Sequence, residues 1–352
     1  MEVATTIQRK PFVLGDQSVA AGTRRTVHLP VSLLADHTQV HLSAHVVHGR
    51  KPGPVAFVSA AVHGDELNGV EIARRLLRSP RLRGIAGTLI VVPVVNAFGL
   101  LAHSRYLPDR RDLNRSFPGT PTGSLAARLA HLFIDGIVAR CEFGIDLHTA
   151  AAHRTNLAQV RVTSGDERAM ELAHAFGAPV ILTSSLRPGS LRGEAVSRGA
   201  NVLLFEGGEA LRFDELTIRA GLAGCLRTLA AIGLIDGRRI KPPHAPSMVA
   251  GRSRWVRAPA GGLVRRLPAL GSVVAAGDRV GEVADPFGFA PTPITAPGRG
   301  LVVGRSELPA VNEGDALLHI AEVSADAAAR VEAHEAQWAD DDSFDDDTGW
   351  AP

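Results

Sequence analysis

Lysine is almost missing from this chain. Lys10, Lys51 and Lys241 are the only three in 352 residues, so nearly all of the 38 positive side chains are arginine. The arginines are dispersed, no basic stripe interleaved with aromatics forms, and aromatic content is 5%, which argues against a nucleic-acid partner. Cysteine is equally scarce. Cys141 and Cys225 cannot build a disulfide framework for a chain of this size, and they suit a reducing cytoplasm. Tyr106 is the single tyrosine. The longest apolar stretch, LIVVPVVNAFGLLA, is broken by Pro93 and Asn96 and is too short to cross a bilayer. The opening MEVATTIQRKPF lacks the apolar core of a signal peptide. The expectation is a cytoplasmic protein with neither a membrane nor a nucleic-acid partner. What remains is ordinary globular material, 45% hydrophobic against 21% charged, in a length that suits two domains.

The apolar pattern changes character along the chain. TRRTVHLPVS and TQVHLSAHVVHG alternate apolar and polar residues and read as two antiparallel strands. VAFVSAAV, TLIVVPVV, EFGIDLH, LAQVRVT, PVILT and NVLLFE read as further strands. Helical spacing lies between or after them, at 67–77, 124–140 (with Ser124 as cap), 167–176, 191–198 and 213–232. This alternation predicts an α/β fold, a mixed but mostly parallel sheet with helices on both faces, over residues 1–240. Pro242, Pro243 and Pro246 mark a linker. Residues 250–323 then show only short strands, in two similar halves, GGLVRRLPALGSVVAAGDRVGEV and GRGLVVGRSELPAVNEGDALLHI. The repeat resembles the barrel-sandwich module of biotinyl and lipoyl carriers. Carrier attachment needs a lysine and none follows Lys241, so the module is expected to serve as a lid, wall or oligomer contact. Residues 324–352 are expected to form a helical, acidic and disordered tail.

Chemistry concentrates in four short motifs. His63 and Glu66 in VHGDE, His148 in DLHT and Glu206 in FEGG each follow an apolar run. Residues just past strand ends line the crevice of an open α/β sheet, so the four are expected to meet at one edge. Two imidazoles and one carboxylate make a catalytic zinc site with a position open for water. A further carboxylate outside the coordination sphere is what such a site needs to take the proton from that water. In RRDLNRSFPG, Asn114 and Arg115 form a fork of donors suited to a substrate carboxylate. Asp112 is suited to fix the tautomer of a metal-bound imidazole through its other nitrogen. Arg105 could place a cation where the carbonyl oxygen becomes negative, with Arg110 and Arg111 as neighbouring rivals. Asp146, two residues before His148, reads as a residue that orients its loop. His28, His41, His45 and His48 lie on the alternating strands and read as structural or solvent-facing.

Together, VHGDE, RRDLNRSFPG, DLHT and FEGG resemble the succinylglutamate desuccinylase/aspartoacylase family, a branch of the zinc carboxypeptidase-like fold, over about residues 50–235. The resemblance implies one zinc per chain on His63, Glu66 and His148, with Glu206 as general base. It implies carboxylate binding by Asn114 and Arg115, support of a zinc histidine by Asp112, and carbonyl polarisation by Arg105 with Tyr106 beside it. Arg192 in SLRGEA is the nearest match to a further substrate-binding arginine, at unequal spacing. One departure stands out: family members that act on acylated aspartate draw a tyrosine from their C-terminal part, and this chain has none to offer. The implied activity is removal of the acyl group from a small N-acyl amino acid or similar carboxylate-bearing molecule. Peptide carboxypeptidase action and a non-catalytic binding role on the same fold are the alternatives. A homo-oligomer is compatible with the composition.

Overall fold

The computed structural model describes residues 9–289, 291–324 and 326–339. Among them, one thirteen-stranded sheet forms the backbone of the molecule. The N-terminal hairpin lies at one edge, with Thr23–Leu33 antiparallel to Gln39–His48. Its alternation is realised, since Val27, Leu29 and Val31 are buried while the residues between them are exposed. Inward from the hairpin come Ala86–Val92, Lys51–Ala60, Phe143–Ala150 and Asn201–Glu209, parallel to one another. Arg154–Thr163 follows, antiparallel to Asn201–Glu209.

The central strands are apolar on both sides because helices cover both faces. In Lys51–Ala60, Ala56, Val58 and Ala60 pack in one core with Ile72 and Leu76 of the helix Asn68–Arg78. Phe57 points the other way and meets Phe133 of the helix Leu125–Gly136 edge-on, with ring centroids 5.9 Å apart. Phe57 is completely buried, so Phe57→Ala is expected to cost about 3–5 kcal/mol. Ser124 does cap its helix, accepting from the Ala127 N–H. That helix ends at Gly136 rather than reaching residue 140, and Val138–Arg140 form a separate 3₁₀ turn. Glycine is a poor helix interior, which accounts for the break.

Two strand boundaries differ from expectation. His148 lies inside Phe143–Ala150 and Glu206 inside Asn201–Glu209, not past their ends. The two residues are register partners, and the pairing turns irregular only between Glu206 and Glu209.

The C-terminal strands are divided between the large sheet and a smaller one. Gly300–Ser306 pairs antiparallel with Arg154–Thr163, so the large sheet continues through Ala316–Ala321 to Ser253–Arg257. Gly262–Arg265 and Arg279–Ala284 join Thr292–Thr295 and Ala310–Val311 in a four-stranded antiparallel sheet. Each half of the repeat supplies strands to both layers of one sandwich, since Val273–Val274 of the first half pairs with Gly300–Ser306 and Ala310–Val311 of the second pairs with Gly262–Arg265. Its core contains Val264, Val283 and Ile294 from one sheet and Val302, Leu318 and Ile320 from the other. Within the segment expected to be a disordered tail, Ala327–Ala339 is a helix with Val331 and Trp338 buried, while 340–352 lie outside the described residues.

Candidate active site

The turn after Lys51–Ala60 presents the first two candidate ligands. Ala61 takes a left-handed φ of 49°, which swings the chain out of the sheet before His63. Gly64 is required by packing: a Cβ there would lie 2.0 Å from the backbone carbon of Gly99. Glu66 then closes the turn onto His63, and the helix Asn68–Arg78 begins two residues later.

Glu66 sits between the two histidines. Its Oε1 is 2.7 Å from His63 Nδ1, and its Oε2 is 2.7 Å from His148 Nδ1. The outer nitrogens are also held: His63 Nε2 is 3.1 Å from Asp112 Oδ1, and His148 Nε2 is 2.8 Å from Asp146 Oδ2. Ser59 donates to the other Asp146 oxygen at 2.7 Å. All three central residues are buried. Burial alone would lower both imidazoles, but the surrounding carboxylates outweigh it and raise them, Glu66 and Asp112 acting on His63, Asp146 and Glu66 on His148. Burial works against the charge on Glu66 and on Asp112 as well, yet the imidazoles facing them hold both carboxyls below their usual range. His63, Glu66 and His148 each offer a donor atom within 4.8 Å of the others. A carboxylate behind each imidazole is the outer arrangement that orients metal-ligating histidines, so these residues fit a metal ion.

Glu206 lies beside this cluster. Register partners on adjacent parallel strands point to the same face about 4.8 Å apart, which sets Glu206 next to His148. Arg105 bridges Asp112 and Glu66, donating to Asp112 Oδ2 at 3.1 and 3.2 Å and to Glu66 Oε1 at 3.3 Å. Arg110 and Arg111 are exposed and do not line the cavity, which distinguishes Arg105 from its rivals. Asn114 Oδ1 accepts from the Leu191 N–H at 2.8 Å, and Arg115 donates to the Asn114 carbonyl. Arg192 is buried, donates to Ser184 Oγ at 2.9 Å and keeps Nη1 without a hydrogen-bond partner among the described residues. Burial, reinforced by Arg161, pulls the Arg192 guanidinium down to about 10.

One cavity of about 580 Å³ takes in His63, Glu66, His148, Glu206, Arg105, Asn114, Arg115 and Arg192. Asp112 stands behind it as the partner of His63, and Tyr106 is 49% exposed outside it. Among the described residues, seven arginines line this cavity against three carboxylates, Glu66, Glu206 and Asp315. Sequence reasoning missed several members. Asp146 is more than a loop-orienting residue, because DLH places it on the His148 face of its strand, two residues away. Asn156 and Arg161 are signalled only by polar side chains in an apolar strand. Trp255 and Arg257, from Ser253–Arg257, and Asp315, just before Ala316–Ala321, form part of the wall. No helix of the described residues is long and apolar enough to cross a membrane.

Fold and cluster define an α/β protein whose side chains could hold a metal ion near the C-terminal ends of the central parallel strands of a mixed sheet. Residues 52–232 match the Succinylglutamate desuccinylase/Aspartoacylase catalytic domain, and the chain belongs to that family of deacylases. An N-alpha-acetyl-L-2,4-diaminobutyric acid deacetylase of Halomonas elongata is 31% identical over 294 residues, spanning 78% of this chain and 84% of that protein. A solved succinylglutamate desuccinylase/aspartoacylase from Rhodobacter sphaeroides superposes with a TM-score of 0.77 at 26% identity, covering 86% of this chain and 96% of its own. The product-bound ectoine utilization protein EutE (DoeB) from Ruegeria pomeroyi shares the fold at TM-score 0.77 and 23% identity, over 89% of this chain and 98% of its own.

Proposed function

We propose that this protein is a zinc-dependent amide hydrolase that removes the acyl group from a small, carboxylate-bearing N-acyl amino acid. The observation that carries the reading is the arrangement of His63, Glu66 and His148 with Glu206 in register beside them. Two imidazoles and one carboxylate suit zinc with an open position. A zinc ion held there would supply a water acidified to a pKa of about 7 and a Lewis acid for the carbonyl. Glu206 takes a proton from the attacking water and returns it to the leaving amine nitrogen as the C–N bond breaks. Arg105 donates to the carbonyl oxygen as it becomes negative. Asn114, Arg115 and Arg192 hold the substrate carboxylate, a task that seven lining arginines favour electrostatically.

Residues 1–240 act as the hydrolase domain, with the strands of 250–323 narrowing its cavity. That wall suits a small molecule better than the end of a peptide in an open groove. The Halomonas relative is named for deacetylating an N-acetyl diamino acid, which makes N-acetyl amino acids the first substrates to try. Scarce cysteine suits a cytoplasmic setting. The test is amine release from a panel of N-acyl amino acids and short peptides, before and after chelation and with zinc restored. Zinc-dependent release from N-acyl amino acids alone is expected; release from peptides alone would replace this reading with the carboxypeptidase one.

A further inference from the structure

The strand Arg154–Thr163 carries two polar side chains that converge on one atom. Asn156 Nδ2 donates to Glu206 Oε2 at 2.7 Å, and Arg161 Nη2 donates to the same oxygen at 3.0 Å. The register explains the convergence, since Glu206 lies opposite Gln159, with Arg161 opposite Leu204 on one side and Asn156 opposite Gly208 on the other. Both donors meet Oε2, and among the described residues no hydrogen bond is made to Oε1. Neither residue hydrogen-bonds to His63, Glu66 or His148 among the described residues.

Asn156 is in turn held from behind. Gly304, in the C-terminal strand Gly300–Ser306, is its register partner, and a Cβ on Gly304 would lie 2.9 Å from Asn156 Oδ1 and 3.1 Å from the His319 Cβ. The missing side chain is the space that Asn156 occupies. The C-terminal strands therefore reach the reacting groups through the back of the Asn156 strand as well as through the cavity wall.

We infer that Asn156 and Arg161 are positioning residues for Glu206, and that Gly304 makes the room that keeps Asn156 aimed at it. This rests on Glu206 being the base of the proposed hydrolase. A glutamate side chain has three rotatable bonds, and two charge-assisted hydrogen bonds to one oxygen select the rotamer that presents the other. Misplacing a reacting group by about 1 Å can cost on the order of 10²-fold in rate.

The test compares zinc-loaded Asn156→Ala, Arg161→Ala and Gly304→Ala with the wild type. Turnover number, KM, metal content and calorimetric affinity for the free amino-acid product are measured for each. Expected is a fall in kcat of about 10- to 100-fold with KM and product affinity held within about two-fold and metal content unchanged. Millimolar methylguanidine is expected to restore part of the turnover of Arg161→Ala. A KM or product Kd raised about tenfold with kcat retained would make Arg161 a substrate ligand and overturn the inference. Unchanged kcat, or loss of metal in these variants, would overturn it as well. Gly304 is not itself a lining residue of the cavity, so Gly304→Ala tests the positioning of Asn156 even where Arg161→Ala folds poorly. A wild type that releases no amine while binding metal marks the failure of the hydrolase reading itself, and the inference falls with it.

Discussion

Two pairs of buried histidines occupy this molecule in opposite circumstances. His63 and His148 each have a carboxylate at both ring nitrogens, and their pKa values are raised despite burial. His319 and His334 are as deeply buried but lie among the C-terminal strands and helix. His319 stacks on Trp255 with centroids 4.6 Å apart and touches Ser253 through Nε2, while neither nitrogen of His334 has a hydrogen-bond partner among the described residues. Burial pushes both down to about 4, with Arg161 adding to the effect on His319, and Arg227 and His244 to that on His334. Depth is therefore uninformative about an imidazole. Its partners separate a group arranged to hold an ion from one that fills space.

The sharpest way to break the comparison is to delete one member of each pair. His148→Ala is expected to abolish stoichiometric metal and reduce amine release to background, whereas His334→Leu leaves both unchanged; metal analysis and an amine assay read the two. Next in size is Glu206→Gln, expected to lose at least ~10²-fold in kcat while keeping its metal, since it removes the base and no ligand. Behind the ligands, Asp146→Asn and Asp112→Asn are each expected to weaken metal affinity by about 10- to 100-fold in a competition titration with a chelating dye.

The pH dependence of stability separates the pairs by sign. His319 and His334 have folded values of about 4 against 6.5 for the ordinary imidazole. The unfolded chain thus takes up more protons as pH falls from about 6.5 towards about 4, and stability present above that window is lost through it. Each histidine can account for at most about 1.4 kcal/mol of that loss for every pH step of one across the window. In metal-free protein the raised pair contributes the other way, its stabilisation full below about 6.5 and lost as pH rises through the folded values. Urea midpoints of metal-free wild type and His319→Phe/His334→Leu at several pH values check this, and equal acid slopes for the two would refute it. The smallest effect is expected at Arg110→Ala, which lies outside the cavity and should change stability by no more than about 0.5 kcal/mol and leave turnover alone.

The mixed α/β fold and the family are legible in the sequence because their signals are local. A glycine between His63 and Glu66 and apolar runs before His148 and Glu206 can be read in windows of about ten residues. What escapes such reading depends on pairing between distant segments. Nothing in GRGLVVGRSEL announces that Gly304 will lie opposite Asn156 and extend the central sheet. Arg161 looks like one more dispersed arginine until register places it close to Glu206. Asp146 and Asp65 are both acids beside ligands, yet of the two only Asp146 turns its carboxylate to an imidazole nitrogen; one oxygen of Asp65 is buried with no hydrogen-bond partner among the described residues. Strand boundaries are blurred for the same reason, since pairing between His148 and Glu206 carries each strand past the end of its apolar run.

The most direct test is elemental analysis of protein purified at neutral pH without chelators, for wild type, Glu206→Gln and His148→Ala. About one zinc per chain is expected in the first two and none in the third. A wild type without stoichiometric metal, or a His148→Ala variant that keeps it, would contradict the assignment of His63, Glu66 and His148 as the metal centre.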